Sequence, residues 1–373
     1  YKVSLTSDII SSNYKESIII YKDDLVCGYN YFYPTTISNY YSSSSYGTVI
    51  KEEDIQEFYV WIPRFKYRLW NVTGEINSSS YDAYHNGIDI SFENYNHTTG
   101  TIYCENNVCY SNQELTQKVT SNDNDKYYTH GAFTSLDKQL YGIWVGKYEL
   151  SSDCNKDTNC LTSNIDFNIK GTDGIWNNNY LSNYYKAIKK KGEEYHIIKN
   201  IEWGAIAYLS HSKYGICSNK ECNYTIDSTT NNIYGVYNMN GNYSEFVMAN
   251  YADETNSISL NNSHFDIPLL NSDYDLYYNN SFILGDATKE IMVENSSNGA
   301  WYNNRSVFID SINNWFIRGD NISNLNGIFY YNDIQSKFRR NQNTIFSKIK
   351  GQTSRQSIFG KCGPRCKRIE KRT

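Results

Sequence analysis

Helical periodicity is confined to two stretches of this 373-residue chain, and the rest of its ordered pattern reads as short strands. NNYLSNYYKAIKKKG (178–192) places Tyr180, Leu181, Tyr184, Tyr185 and Ile188 at 3–4 spacing and ends in lysines and Gly192, a C-terminal signal. IEWGAIAYLSHSKYG (201–215) follows at once, with Asn200 placed to cap it and a stripe of Ile201, Ala205, Tyr208 and Leu209. These predict helices near 178–191 and 201–212. Around them stand aromatic and β-branched runs: FYVWIPRF and KYRLW from Glu57 onward, GIWVGKYEL (142–150), IYGVY (233–237), SEFVMA (244–249), SVFI (306–309), WFIRG (315–319) and GIFYY (327–331). In GIWVGKYEL, Ile143, Val145 and Lys147 alternate with Trp144, Gly146 and Tyr148, so the two sets face opposite ways. The fold class is therefore α+β, with two helices, short and mostly antiparallel strands, and long Asn/Ser/Asp-rich loops, above all over 250–300.

The pattern divides the chain into an irregular polar lead-in (1–56), one ordered domain (57–345) and a basic tail (346–373). From Lys337 to the end there are twelve Lys/Arg and one acidic residue, so the overall charge of −5 hides a body of −16. An acidic body argues against nucleic acid as a partner. The tail reads as a disordered segment or as a contact for an acidic surface. No run of apolar residues is long enough for a transmembrane helix. The 37 tyrosines and the abundant Asn and Ser suit adaptable recognition surfaces, but the bias covers the whole chain and locates no binding face.

Of nine cysteines, six form local pairs: Cys104/Cys109, Cys154/Cys160 and Cys217/Cys222. Each pair brackets a short polar turn, so disulfides across these turns are the expectation, with an extracellular or cell-surface location as the corollary. Zinc binding and free thiols are the competing readings, and two of the three spacings fit structural zinc only at its edge.

The ordered series IWVGKYEL, IEWGAIAYLSHSKYG, NIYGVYNMNGNYSEFV, Gly285–Ala287 and WFIRG resembles the formylglycine-generating (sulfatase-modifying factor) family, in a secreted or prophage-associated bacterial branch. The resemblance covers about residues 57–331, and Gly-Val-Tyr-Asn-x-x-Gly-Asn-x-x-Glu (235–245) is its most specific piece. It implies a C-type-lectin-like fold of the formylglycine-generating type. It also implies a structural calcium ion held by Asn238, Gly241, Tyr243 and Glu245, a set of hard oxygen donors. Read without the resemblance, Glu245 equally suits a buried turn in which it accepts backbone N–H groups.

The family's chemistry does not carry over. Its catalytic members hold copper with two cysteines just after the strand matching WFIRG, whereas no cysteine lies between Cys222 and Cys362 here. None of His85, His97, His130, His196, His211 and His264 has the HxxxHxE-type spacing of iron-binding relatives, and His130 and His211 read as structural. The family's closing strand is also missing in its usual form, and TIFSKI (344–349) is the segment that could replace it. The expected function is a non-catalytic extracellular module that binds a protein or glycan ligand or displays a surface. The alternatives are a structural part of a phage tail or pilin-like appendage and, last, a formylglycine-type oxidoreductase.

Overall fold

The computed structural model describes residues 17–21, 55–68, 88–93, 102–105, 108–111, 127–135, 138–152, 161–169, 171, 174–193, 195–216, 228–230, 235–239, 244–253, 255, 257–260, 264–278, 281–292, 299–319, 327–334 and 346–348. Two α-helices form where periodicity places them, α1 (Leu181–Lys189) and α2 (Asn200–Ser210). The first sheet runs in the order β1 (Ser17–Tyr21), β2 (Ile55–Pro63), β10 (Gly142–Gly146), β16 (Phe346–Lys348), β11 (Tyr195–Ile197), antiparallel at every pairing. The second runs β13 (Asp275–Tyr277), β12 (Glu245–Tyr251), β14 (Trp315–Arg318), β15 (Tyr331–Ile334), with only the β12–β13 pairing parallel. A third joins β4 (Asp89–Phe92), β3 (Phe65–Arg68) and β7 (Tyr128–Thr129). Two small hairpins complete the set, β5 (Ile102–Glu105) with β6 (Val108–Ser111) and β8 (Thr134–Ser135) with β9 (Lys138–Gln139).

The strand alternation explains how both large sheets are covered on both faces. Val60, Ile62, Ile143, Val145, Val247, Ala249 and Phe316 join one buried cluster, which contains α2 and the third sheet. Their alternating neighbours Tyr59, Trp144, Phe246, Met248, Trp315 and Ile317 join a second cluster, built on α1. The period of two along a strand divides these side chains between the layers. The two helices differ accordingly. On α1, Asn183, Lys186 and Lys189 stay outside the core, so it is covered on one side, whereas all eleven residues of α2 are buried.

Several expectations need adjustment. The lead-in contributes a strand, because Ser17–Tyr21 carries three consecutive isoleucines and pairs with β2. TIFSKI does supply a strand, and β16 lies between β10 and β11. Within IYGVY, Gly235–Tyr237 is irregular and the first two residues lie outside the described set. SVFI contributes only a bridge from Ser306 to Tyr331, and GIFYY is a turn whose strand starts at Tyr331. Strand propensity marks these runs, but SVFI meets β15 only at Tyr331 and its pairing goes no further.

Candidate functional site

Three of the motif segments, IEWGAIAYLSHSKYG, Gly285–Ala287 and WFIRG, meet in one buried polar knot at the start of α2. Asn200 does not cap this helix. The Glu202 carboxylate accepts the Lys199 N–H at 2.9 Å, and Asp275 on β13 accepts the Ile201 N–H at 2.8 Å. With the helix end satisfied by these carboxylates, the Asn200 side chain turns inward. Its Oδ1 accepts from Arg318 at 2.8 Å and its Nδ2 donates to the Tyr277 hydroxyl at 2.9 Å.

The Gly285-Asp286-Ala287 turn packs against the same helix. Gly285 has φ +101°, and a Cβ at Gly204 would collide with its carbonyl oxygen, so α2 and the turn approach at a distance only glycine allows. Ala287 is held at φ 55°, a region L-residues avoid, and its carbonyl accepts from Arg318 Nη2 at 2.9 Å. Asp286 accepts from the Tyr277 hydroxyl at 2.7 Å and from the Thr288 hydroxyl at 2.6 Å, and its carbonyl accepts from Arg318 Nη1 at 3.1 Å. Glu290 closes the turn by accepting from the N–H groups of Gly285 and Ala287 at 3.0 and 2.7 Å, and from the Tyr208 hydroxyl at 2.6 Å.

Electrostatics follow from this burial. Desolvation pushes Asp286 up, and the Glu290 charge adds to it. Burial likewise raises Glu290 against the hydrogen bonds that lower it. Arg318, stacked near Trp203 and Tyr331, is lowered by burial to about 10. At neutral pH it is still a cation, and it compensates the carboxylates that a dry interior would otherwise not tolerate. Neighbouring His196 lies 3.0 and 3.1 Å from the two Glu202 oxygens. Burial pushes Glu202 up, but His196 and Lys199 outweigh it and hold the group at about 2. Each of these groups is spent on another part of the chain, so the knot positions elements and presents no reacting atom to solvent.

The two helical and loop histidines are of the same kind. His130 Nδ1 accepts the Ala132 N–H, which assigns the proton to Nε2, 2.9 Å from the Gly285 carbonyl. His211 lies at the end of α2 with Nδ1 3.1 Å from the Ala207 carbonyl. Burial lowers both rings to about 3, so they are neutral, as structural histidines should be.

Of the four expected calcium ligands, Asn238 and Glu245 lie within the described residues and Gly241 and Tyr243 lie outside them. Asn238 sits at φ 60°, and its amide nitrogen donates to Glu149 at 3.1 Å. That bond turns Oδ1, the donor a hard cation would use, away from Glu149. Glu245 is fully buried at the start of β12, in register with Arg318. Among the described residues, no group of three or more His, Cys, Asp or Glu is arranged to hold a metal. Sequence reasoning missed Glu149, and its signal was a carboxylate two residues beyond Lys147 in the mostly apolar run GIWVGKYEL. Beside it, Lys147 is buried among aromatic rings and lowered by that burial to about 8.

The disulfide expectation is corrected: no disulfide bond is present among the described residues. The polar turn does bring Cys104 and Cys109 to directly opposed positions of the β5–β6 hairpin. Backbone proximity from a turn is a condition for the bond and not the bond itself. Cys154, Cys160, Cys217 and Cys222 lie outside the described residues.

The loops that flank the second sheet have a different construction. Asn250 Nδ2 and Asn314 Nδ2 both donate to the Ser259 carbonyl, at 3.1 and 2.8 Å, tying two loops together. Asp253 folds one loop by accepting from Thr255 and Ser257, and Asp310 folds the other by accepting from Ile312 and Asn313. Leu260, next to the clamp, and Ile312, 68% accessible, are exposed on these loops.

No family model and no curated protein matches the chain. Among the described residues, no helix is long and apolar enough to cross a membrane.

Proposed function

We propose that this chain is a non-catalytic, surface-displayed module that binds a protein or glycan ligand through the loops Asp253–Leu260 and Asp310–Asn314. The observation that carries this reading is the clamp on Ser259. Two buried asparagines anchor both loops at Ser259 while Leu260 and Ile312 are exposed. Ordered loops with apolar tips cost less entropy on binding than mobile ones. Exposed side chains on a rigid scaffold are where recognition is carried. The motif order supports a C-type-lectin-like arrangement of the formylglycine-generating type, since segments far apart in sequence converge on Arg318 as one unit. Calcium is the ion suited to Asn238 and Glu245, and would link the turn before β12 to the strand itself. The absence of copper cysteines after WFIRG supports a binding role over oxidation.

The test is retention of the full chain on a glycan array and on blotted cell-surface proteins. Saturable binding to one of the two, weakened by Ile312→Asp, is expected. No saturable binding to either would overturn the reading.

A further inference from the structure

We propose that the basic C-terminal segment, residues 349–373, docks in cis on the clamped loops of the second sheet, its apolar pair Ile358-Phe359 on Leu260 and Ile312 and its cations on Asp253, Asp310 and Asp333. The proposal rests on the reading of these loops as a binding face and adds its regulation: the segment holds the face until a ligand displaces it. The face is continuous. The Tyr251 N–H donates to the Asn314 carbonyl at 2.9 Å, Asn250 and Asn314 share the Ser259 carbonyl, and Asn313 Nδ2 donates to Asp333 at 2.9 Å. Both loops and the end of β15 are thereby tied together around the exposed Leu260 and Ile312. Each carboxylate spends one oxygen on these loops. Asp253 Oδ1 accepts from Thr255 and Ser257, Asp310 Oδ1 from Ile312 and Asn313, and Asp333 Oδ2 from Asn313. Among the described residues, none of the three is in an ion pair. Carboxylates beside α1 differ, since Asp266 pairs with Lys186 and Asp273 with Lys189. The loops supply no cation of their own: no Lys or Arg stands between Asn250 and Thr288 or between Ser306 and Phe316.

The complementary chemistry lies in the same chain. Residues 349–373 carry eight Lys/Arg and one acidic residue. Within them Arg355-Gln-Ser-Ile358-Phe359-Gly-Lys361 sets an apolar pair between two cations, the inverse of an apolar centre rimmed by carboxylates. The segment follows β16, which ends at Lys348, and Phe359 is eleven residues further on. Eleven extended residues reach about 36 Å. A chain of this length has a radius of gyration of about 21 Å, so the loops are within range. Tethering raises the segment's effective concentration to the order of millimolar, so weak contacts suffice to hold it. Salt screens exposed pairs of this kind, so the contact weakens as ionic strength rises.

The test is carbodiimide cross-linking of the full chain, which joins a lysine amine to a touching carboxylate, followed by peptide mapping. Mixing heavy-isotope and ordinary protein separates links within one copy from links between two. A link from Lys361 to Asp253, Asp310 or Asp333 within one copy is expected, reduced at least about fivefold in about 0.5 M salt. Arg355→Glu/Lys361→Glu should free the face. A fluorescent peptide of residues 352–361 should then bind that variant at least about tenfold more tightly than the parent. Links spread evenly over the carboxylates of the body, links only between copies, or equal peptide binding by parent and variant would overturn the proposal. Ligand retained by a chain that forms no such link sinks the docking alone, and links in a chain that retains no glycan or cell-surface protein sink the ligand reading alone.

Discussion

The polar knot at α2 and the clamped loops of the second sheet both use Asn, Asp and Ser side chains, yet they use them for opposite ends. In the knot, Asn200, Asp286, Thr288, Glu290 and Arg318 are all buried and bonded to one another or to backbone. In the loops, Asp253 and Asp310 bond to their own turns, and Leu260 and Ile312 beside them are exposed. Polar residues in the first region fix which elements meet. In the second they fix the shape of a surface. Residue type alone does not separate the two, and burial does.

The largest effect should come from Arg318→Leu. It leaves Asp286 and Glu290 without their cation, and breaking one partner of a buried charged set costs about 3–5 kcal/mol. Denaturant unfolding should show this loss, and a loss below about 1 kcal/mol would place the knot on a par with the loops. Next is Tyr208→Phe, which removes the hydroxyl bonded to Glu290 at 2.6 Å. Leaving a buried acceptor short of a partner costs about 1–3 kcal/mol. Thermal unfolding checks it.

A smaller effect concerns pH. Burial raises Asp275 from 3.8 to about 6 against the opposing Lys199 charge. A carboxyl group raised by folding contributes stability that is complete below its unfolded value and lost as pH rises through the folded one. Asp275→Asn keeps an acceptor for the Ile201 N–H, so it should flatten the decline in Tm between about pH 4 and pH 6. Glu202 has the opposite sign: held at about 2, its contribution is present above 4.5 and lost as pH falls through the lower value. An unchanged pH profile in Asp275→Asn would remove Asp275 from the knot's electrostatics. The smallest effect is expected in the loops, where Ile312→Ser should shift stability by no more than about 0.5 kcal/mol. A larger loss would mean that this exposed side chain supports the fold and not only a surface.

The helices expected near 178–191 and 201–212 were legible from periodicity and form over Leu181–Lys189 and Asn200–Ser210, and β10 and β12 were legible as aromatic and β-branched runs. The knot was only half legible. Asn200 read as a cap because helix starts favour Asn, and nothing local said that Glu202 and Asp275 would do that work from positions +2 and far along the chain. Arg318 carried a signal that the sequence reading left unused, a lone charge inside WFIRG. The loop clamp was invisible, since Asn250, Ser259 and Asn314 meet only through tertiary packing. The disulfides were expected from turn composition, which reports closeness and says nothing of the covalent bond.

The division of labour between knot and loops is tested most directly by measuring ligand binding and Tm together in three proteins: the parent, Leu260→Asp/Ile312→Asp, and Tyr208→Phe. On whichever surface retains the parent, the loop variant should bind at least about tenfold more weakly, a change of ~1.4 kcal/mol, at unchanged Tm. Tyr208→Phe should melt lower and bind as the parent does below its Tm. Parent-like binding by the loop variant, or weakened binding by folded Tyr208→Phe, would contradict the account.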